Sequence, residues 1–162
     1  MSLLDALPVP ASLALGFSFE ETMSGSYHLL ASQLDERAIS FSLAARVAGI
    51  RQFLKDKLAR IEGVVNIEGF ADARPLTGTL ALALPGERRL TYDFTFRAND
   101  GKLCRFHGQK DVTWIAPVDT MTTLPASLYD DAGRELARAV LRFDTRGTLG
   151  TFLRSWRLRL GS

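Results

Sequence analysis

The stretch Leu90-Thr-Tyr-Asp-Phe-Thr-Phe-Arg97 decides the fold class of this chain. Large apolar side chains occupy every second position, and two threonines, an aspartate and an arginine fill the places between and after them. Because successive side chains of a strand point to opposite faces of a sheet, this period of two predicts a strand with one buried face and one solvent-facing face.

The same alternation recurs on both sides of this stretch. It predicts about nine strands, near residues 15–24, 39–48, 58–68, 76–84, 88–97, 102–114, 119–129, 135–144 and 155–160. Turn-forming sequences separate several of them: Pro85-Gly86-Glu87, Asn99-Asp100-Gly101 and Asp130-Asp131-Ala132-Gly133. The stretches Ile50–Lys57 and Leu149–Trp156 have the apolar spacing of short helices.

Short strands joined by tight turns are typical of an antiparallel meander, and a sheet of this many strands must curl. We therefore predict an all-β domain that spans residues 1–162, with residues 1–14 as an N-terminal arm. The predicted architecture is a lipocalin-like β-barrel of about eight or nine strands with one or two short helices. A β-sandwich is the alternative.

Composition narrows the class of protein. The chain is 46% hydrophobic and 23% charged, with a net charge of +2, which is typical of a soluble globular domain. No apolar run is long enough to span a bilayer, and the first residues lack the basic segment of a signal peptide. The single cysteine, Cys104, excludes an intrachain disulfide. These features favour a cytoplasmic protein that is not transmembrane.

Two charged residues fall on faces that the alternation assigns to the interior. Glu21 shares its face with aromatic residues of the first strand, and Lys110 shares its face with apolar residues of the sixth. Because an isolated charge is costly to bury, buried charges are usually paired or functional. We expect Glu21 and Lys110 to approach each other inside the domain, either as an ion pair that fixes strand register or as polar anchors of a ligand site.

Three functions remain open on this evidence. The first is binding of a hydrophobic small molecule, lipid-like or sterol-like, in the interior without catalysis. The second is an acid–base isomerase or lyase in which Glu21, Lys110 and Tyr92 are the candidate catalytic groups. The third is an interaction module with a filled core. The predicted lining residues are Phe17, Phe19, Glu21, Met23, Phe41, Tyr92, Phe94, Phe96, Phe106, Lys110 and Trp114.

Metal and nucleic-acid binding are not expected. His28, His107 and Cys104 do not have the spacing of zinc ligands, and His107 is predicted to face solvent, so no metal or cofactor is predicted. Residues 134–162 hold seven arginines and two acidic residues. Aromatic residues do not alternate with these arginines on the predicted polar face, so this basic segment predicts a solvated surface and no nucleic-acid partner.

Several motifs resemble an uncharacterised β-rich accessory domain found alongside large bacterial glucose–methanol–choline (GMC) oxidoreductases, including cholesterol-oxidase-like chains. They are Phe19-x-Glu21-x-Met23-x-Gly25, Leu90-Thr-Tyr92, Asp100-Gly101-Lys102, Gly108-Gln-Lys110, Asp119-Thr-Met-Thr-Thr-Leu124 and Leu153-Arg-Ser-Trp156. The chain itself has no dinucleotide-binding glycine motif, so it is not the oxidoreductase. The resemblance implies a separate oxidoreductase partner chain and lipid chemistry nearby.

Overall fold

The computed structural model describes residues 17–47, 55, 57–83, 89–111 and 123–143. This part of the chain is almost entirely β-strand, as the sequence predicts. The strands are β1 (Phe17–Leu29), β2 (Ser32–Val47), β3 (Leu58–Ile67), β4 (Ala71–Ala83), β5 (Arg89–Arg97), β6 (Leu103–Asp111), β7 (Thr123–Tyr129) and β8 (Glu135–Phe143).

The eight strands form a closed antiparallel meander. Each strand pairs with the next along the chain, and β8 pairs with β1. The closing ladder joins Met23–Leu29 of β1 to 137–143 of β8. The predicted barrel is therefore confirmed and the sandwich alternative is excluded, because hydrogen bonding continues around the whole wall. Closure also removes the free strand edges that invite aggregation.

Tight turns lie at one end of the barrel, which we call the turn end. Two of them are the turns that the sequence predicts at Asn99–Gly101 and Asp130–Gly133. In the second, Asp130 Oδ1 accepts hydrogen bonds from the backbone N–H groups of Ala132 and Arg134, both at 2.9 Å. At the opposite end, residues 48–57, 84–88 and 112–122 join the strands, and we call it the connector end.

Aromatic rings fill the middle of the barrel. Phe94 and Phe106 stack with their ring centroids 4.5 Å apart. Phe41 packs edge-on against both rings, at 5.3 Å and 5.4 Å. All three side chains are at most 1% exposed. The centre of this barrel is therefore a packed core, as eight strands allow.

Glycines at inward positions let the strands bend around this core. A Cβ added to Gly63 would lie 2.0 Å from the carbonyl oxygen of Ser42, and one added to Gly25 would lie 1.9 Å from that of Val140. In both cases the neighbouring backbone occupies the space that a side chain would need. Such close approach is a known use of glycine in curved sheets.

Some predicted elements lie outside the described residues, wholly or for the most part. These are the arm at 1–14, the short helices at Ile50–Lys57 and Leu149–Trp156, the turn at 85–87 and the ninth strand at 155–160. Within the part of the chain that the structure describes, no helix has the length and apolarity needed to cross a membrane.

Candidate functional site

Glu21 is an acidic residue inside the barrel, as the alternation of β1 predicts. It lies between exposed Glu20 and exposed Thr22 and pairs in register with Leu43 of β2. Glu21 is 5% exposed, and it is the one charged residue that is buried in the described part of the chain. Because burial deprives a carboxylate of water, its position near the connector end marks this region as chemically distinct from the aromatic centre.

Tyr92 is the second polar group of this region. The residue is 1% exposed, and its ring lies 6.0 Å from that of Phe41. Its buried hydroxyl has no hydrogen-bond partner among the described residues. Burial, and after it the negative charge of Glu21, raise the pKa of Tyr92 well above its ordinary value. The hydroxyl is therefore protonated at physiological pH and able to donate a hydrogen bond.

Glu21 and Tyr92 face each other across the interior. Glu21 lies on β1 and Tyr92 on β5, which are four strands apart in either direction around the closed wall. Two residues so placed are on opposite walls, so the electrostatic effect of Glu21 on Tyr92 acts across the interior and not along a ladder. Both residues lie on the connector side of the stacked phenylalanines.

A second buried tyrosine shows how the barrel normally satisfies such a hydroxyl. Tyr27, at the turn end, is 3% exposed, and its hydroxyl donates a hydrogen bond to the backbone carbonyl of Glu68. Buried hydroxyls are nearly always bonded in this way. Unlike Tyr27, Tyr92 has a buried hydroxyl without a hydrogen-bond partner among the described residues.

Lys110 lies on the inner side of β6. It pairs with Leu90, which is 1% exposed, and it shares its strand face with buried Phe106 and Gly108. The residue itself is half-buried. This register confirms the predicted inward face, whereas a direct approach of Lys110 to Glu21 stays a prediction.

Glu21 and Lys110 border the same section of the wall. Within the described residues, the β1–β8 ladder reaches Met23 and the β6–β7 ladder reaches Gly108, each two positions short of the charged residue. Glu21 on β1 and Lys110 on β6 thus both lie toward the connector end, with β7 and β8 between their strands. This placement suits polar groups at the rim of an interior site.

The inward residues near these groups include several small ones. Tyr92 pairs directly with Gly108, and the side chains of Leu124 and Ala126 occupy the space beside that glycine. Ala45 and Ala59 are also inward and at most 1% exposed. Large buried side chains lie among them, since Leu43 pairs with Glu21 and Leu80 pairs with Tyr92.

The other predicted lining residues occupy three kinds of position. Met23, Phe41, Phe94, Phe96 and Phe106 are buried inside, and the three phenylalanines of the stacked cluster form a floor beneath Tyr92 and Glu21. The backbone of β1 places Phe17 opposite Val47 and Phe19 opposite Ala45. Trp114 lies outside the described residues.

A cluster on the outer face was not anticipated from sequence. Arg105 Nε donates a 2.8 Å hydrogen bond to Asp93 Oδ1, and Arg105 also bonds the second carboxylate oxygen. His107 Nδ1 lies 3.2 Å from Asp93 Oδ2. These hydrogen bonds, that of Arg105 first, lower the pKa of Asp93 below its ordinary value. The predicted solvent-facing position of His107 is confirmed, but its partner depends on β5–β6 register, which the sequence alone does not supply.

Two clefts lie away from the Glu21 region. One, of about 520 Å³, lies at the turn end between the hairpins that contain Asp100 and Asp131, and buried Cys104 lines it. The other, also of about 520 Å³, lies on the outer face of β2–β4 beside Arg46 and Arg60. Within the described residues, no group of three or more His, Cys, Asp or Glu side chains has the arrangement to hold a metal ion.

The fold and these groups together define a closed eight-stranded antiparallel β-barrel with polar side chains near one end of an otherwise apolar interior. Comparison of the chain with protein-family models, with curated proteins and with solved structures finds no match. The resemblance to the oxidoreductase-associated accessory domain therefore stays a prediction.

Proposed function

We propose that this protein binds a small, largely apolar molecule at the connector end of the barrel, above the aromatic centre. The observation that carries the proposal is the Tyr92 hydroxyl, which is buried without a hydrogen-bond partner among the described residues. A buried polar group without a partner is costly, so a fold that keeps one usually completes it with a ligand or a bound water.

The surroundings of Tyr92 favour an organic ligand. The floor beneath the site is aromatic, with the ring of Phe41 6.0 Å from that of Tyr92, and the wall includes the small residues Ala45, Ala59 and Gly108. Ligand sites commonly combine an apolar lining with a few convergent polar groups. Tyr92 and Glu21 supply such groups from opposite walls, and Lys110 adds a third on the inner face of β6.

The aromatic centre limits the depth of the proposed site. Phe41, Phe94 and Phe106 pack on one another, so a ligand seated on them fills the connector half of the interior and not the whole barrel. Phe96 and Tyr27 then belong to the structural core of the turn half. This division separates residues expected to contact the ligand from residues expected to support the fold alone.

The first experiment is mass spectrometry of the purified protein, in its native state and after solvent extraction. A co-purifying hydrophobic molecule supports the proposal and gives its class. The companion measurement is a titration with the neutral fluorescent probe N-phenylnaphthylamine, whose emission rises in apolar sites. A native mass without adduct together with unchanged probe emission would overturn the proposal.

Two tyrosine variants make the titration specific to the site. Tyr92→Phe removes the hydroxyl without a partner, and we expect it to change probe affinity. Tyr27→Phe removes a hydroxyl that is bonded to the Glu68 carbonyl at the turn end, and we expect it to leave probe affinity unchanged. If the two variants change probe affinity equally, the probe does not bind in the connector half of the barrel.

A second candidate function is acid–base catalysis on the bound molecule. The observation that favours it is the placement of a carboxyl group and a protonated phenol on opposite walls of the barrel. In such a pair, Glu21 could take a proton from the carbon next to a ketone while Tyr92 donates a hydrogen bond to the oxygen that gains charge. Proton NMR in heavy water with methyl octyl ketone tests this, since catalysis exchanges those protons for deuterium and Glu21→Gln abolishes the exchange.

A further inference from the structure

A cleft of about 520 Å³ lies on the outer face of β2–β4, toward the connector end. The strands themselves form the wall between this cleft and the barrel interior. The charged and hydroxyl side chains that line it are those of Arg46, Arg60, Glu62, Thr77 and Thr79. Two cations and one acid give the lining a net positive charge, and the two threonines add hydroxyl groups that can donate hydrogen bonds.

The two arginines of the cleft stand directly opposite each other. Arg46 of β2 and Arg60 of β3 are partners in the β2–β3 ladder, and both are exposed. The Cβ atoms of directly paired residues lie about 5 Å apart, and like charges so placed destabilise a sheet. An anion held by both guanidinium groups would remove this repulsion.

The described chain supplies a carboxylate to only one of these arginines. Glu62 Oε1 lies 2.8 Å from Arg46 Nη2. Arg60 makes no hydrogen bond or ion pair with another residue in the part of the chain that the structure describes. The cleft therefore holds one guanidinium group that is paired and one that is not.

The acidic residue on the other side of Arg60 is held by other partners. In register, Arg60 pairs with Thr79, and Thr79 pairs with Asp93 of β5. The Asp93 carboxylate accepts a 2.8 Å hydrogen bond from Arg105 and lies 3.2 Å from His107, both on β6. Its charge is thus compensated on the side away from the cleft. Arg60 is therefore available to an anion from outside the chain.

The arrangement of donors favours a phosphate group over a carboxylate. A phosphate monoester is mostly a dianion near pH 7.5, and its three terminal oxygens are strong hydrogen-bond acceptors. Such a group can accept hydrogen bonds from two guanidinium groups and a hydroxyl at the same time. A carboxylate has a single charge and two oxygens in one plane, so it is matched by one guanidinium group.

We propose that this outer cleft is a binding site for a phosphate monoester. Arg60 supplies the positive charge that has no partner among the described residues, and Arg46 supplies the second. The hydroxyl groups of Thr77 and Thr79 complete the site from β4. Glu62 competes with the ligand for Arg46 and so limits the affinity. The site does not rest on binding in the interior, because these side chains lie on the outer face.

The test is an NMR titration of the wild-type protein with phenyl phosphate and, separately, with benzoate, at pH 7.5 and low salt. We expect phenyl phosphate to shift the backbone amide signals of β3 and β4 around the cleft. We expect it to bind at least about 5-fold more tightly than benzoate. Added salt should weaken this binding, since exposed charges are screened.

Three variants assign the roles of the charged residues. Arg60→Met is expected to weaken phenyl phosphate binding by about 10-fold. Arg142→Met is the matched control, because Arg142 is also an exposed arginine but lies on β8, three strands from β3, and its loss should change affinity by less than about 2-fold. Glu62→Gln releases Arg46 and is expected to raise affinity by about 3-fold. Circular dichroism and thermal melting confirm that each variant is folded.

Three results would overturn the proposal: no amide shifts at the cleft, benzoate binding as tight as that of phenyl phosphate, or equal losses in Arg60→Met and Arg142→Met. When the site is supported, sedimentation with phosphatidylcholine vesicles that contain phosphatidic acid distinguishes two sources of the phosphate group. Co-sedimentation that is lost in Arg60→Met and kept in Arg142→Met assigns a lipid headgroup. Phenyl phosphate binding without co-sedimentation assigns a soluble phosphate monoester.

Discussion

Glu21 and Tyr92 stand on opposite walls of the barrel, and burial, followed by the charge of Glu21, raises the pKa of Tyr92. This relationship differs from the usual polar contact in a sheet, which runs between neighbouring strands. Groups that meet across an interior are separated by the space between the walls. Under the proposed function, the ligand lies between these two walls.

The two buried tyrosines are expected to have opposite effects on stability. Tyr92→Phe removes a buried hydroxyl that has no partner among the described residues, so we expect the free energy of unfolding to rise by about 1 kcal/mol. Tyr27→Phe leaves the Glu68 carbonyl without its donor, so we expect a loss of about 1–2 kcal/mol. Urea denaturation of the ligand-free proteins measures both. A Tyr92→Phe variant less stable than wild type would contradict the assignment.

The Asp93 cluster is expected to make the free energy of unfolding depend on pH. Hydrogen bonds from Arg105 and then from His107 lower the pKa of Asp93, so the folded state holds this carboxylate ionised more readily than the unfolded state does. Its contribution is complete above the ordinary aspartate pKa and is lost as the pH falls through the lowered value in the folded protein.

The variant that checks this term is Asp93→Asn. Because the cluster lies on the outer face, screened by water, we expect the variant to lose at most about 1 kcal/mol at neutral pH. The difference from wild type should shrink as the pH falls below about 4, where the unfolded carboxyl group takes up its proton before the folded one does. Urea denaturation across this pH range is the measurement, and a difference that stays constant would rule out Asp93 as its source.

Gly63 is expected to tolerate no side chain. In Gly63→Ala, the new Cβ would lie 2.0 Å from the Ser42 carbonyl oxygen, and that oxygen belongs to a paired backbone that cannot rotate away. We expect a loss of about 3 kcal/mol or more. Gly101→Ala is the matched control, since Gly101 has φ +85° and open space around it. Gly101→Ala should lower the free energy of unfolding by about 1–2 kcal/mol, because alanine disfavours the left-handed backbone conformation at this position.

Cys104 provides a probe of barrel opening. The thiol is 3% exposed, and burial, followed by the charges of nearby aspartates, raises its pKa. Because the thiolate is the reactive form, we expect native protein to react with DTNB about 100-fold more slowly than urea-unfolded protein does at the same pH. As the chain holds one cysteine, the absorbance change reports this site alone. Rapid complete labelling of folded protein would show that the turn end opens readily.

The strands were predictable wherever one face is buried. β5 was expected at 88–97 and runs from Arg89 to Arg97, because its alternation is unbroken. The first part of β2 was not predicted. Residues 32–36 there are all exposed, so hydrophobic alternation is absent, and the strand persists because its neighbours supply hydrogen bonds. Ala71–Pro75 of β4 was missed for a similar reason, since a proline interrupts its pattern.

The site was predictable in its parts and not in its geometry. Alternation alone places Glu21, Tyr92 and Lys110 on inward faces, and the structure confirms each face. Glu21 and Tyr92 lie on opposite walls because the closed barrel has eight strands. The sequence of a single segment does not specify that number. The Asp93–His107 contact likewise needs the register of two strands, and the sequence fixes no register without the turn geometry.

The ladder that closes the barrel also has a kinetic meaning. The described ladders other than this one join strands adjacent in the chain, whereas β1 and β8 bring together residues 108 to 120 positions apart. Closing so long a loop costs the most chain entropy. The β1–β8 ladder, which we call the seam, is therefore expected to form last during folding and to separate first during unfolding. A ligand that bridges Glu21 on the seam strand and Tyr92 on the far wall would hold the seam shut, so its bound lifetime and the lifetime of the folded barrel should lengthen together.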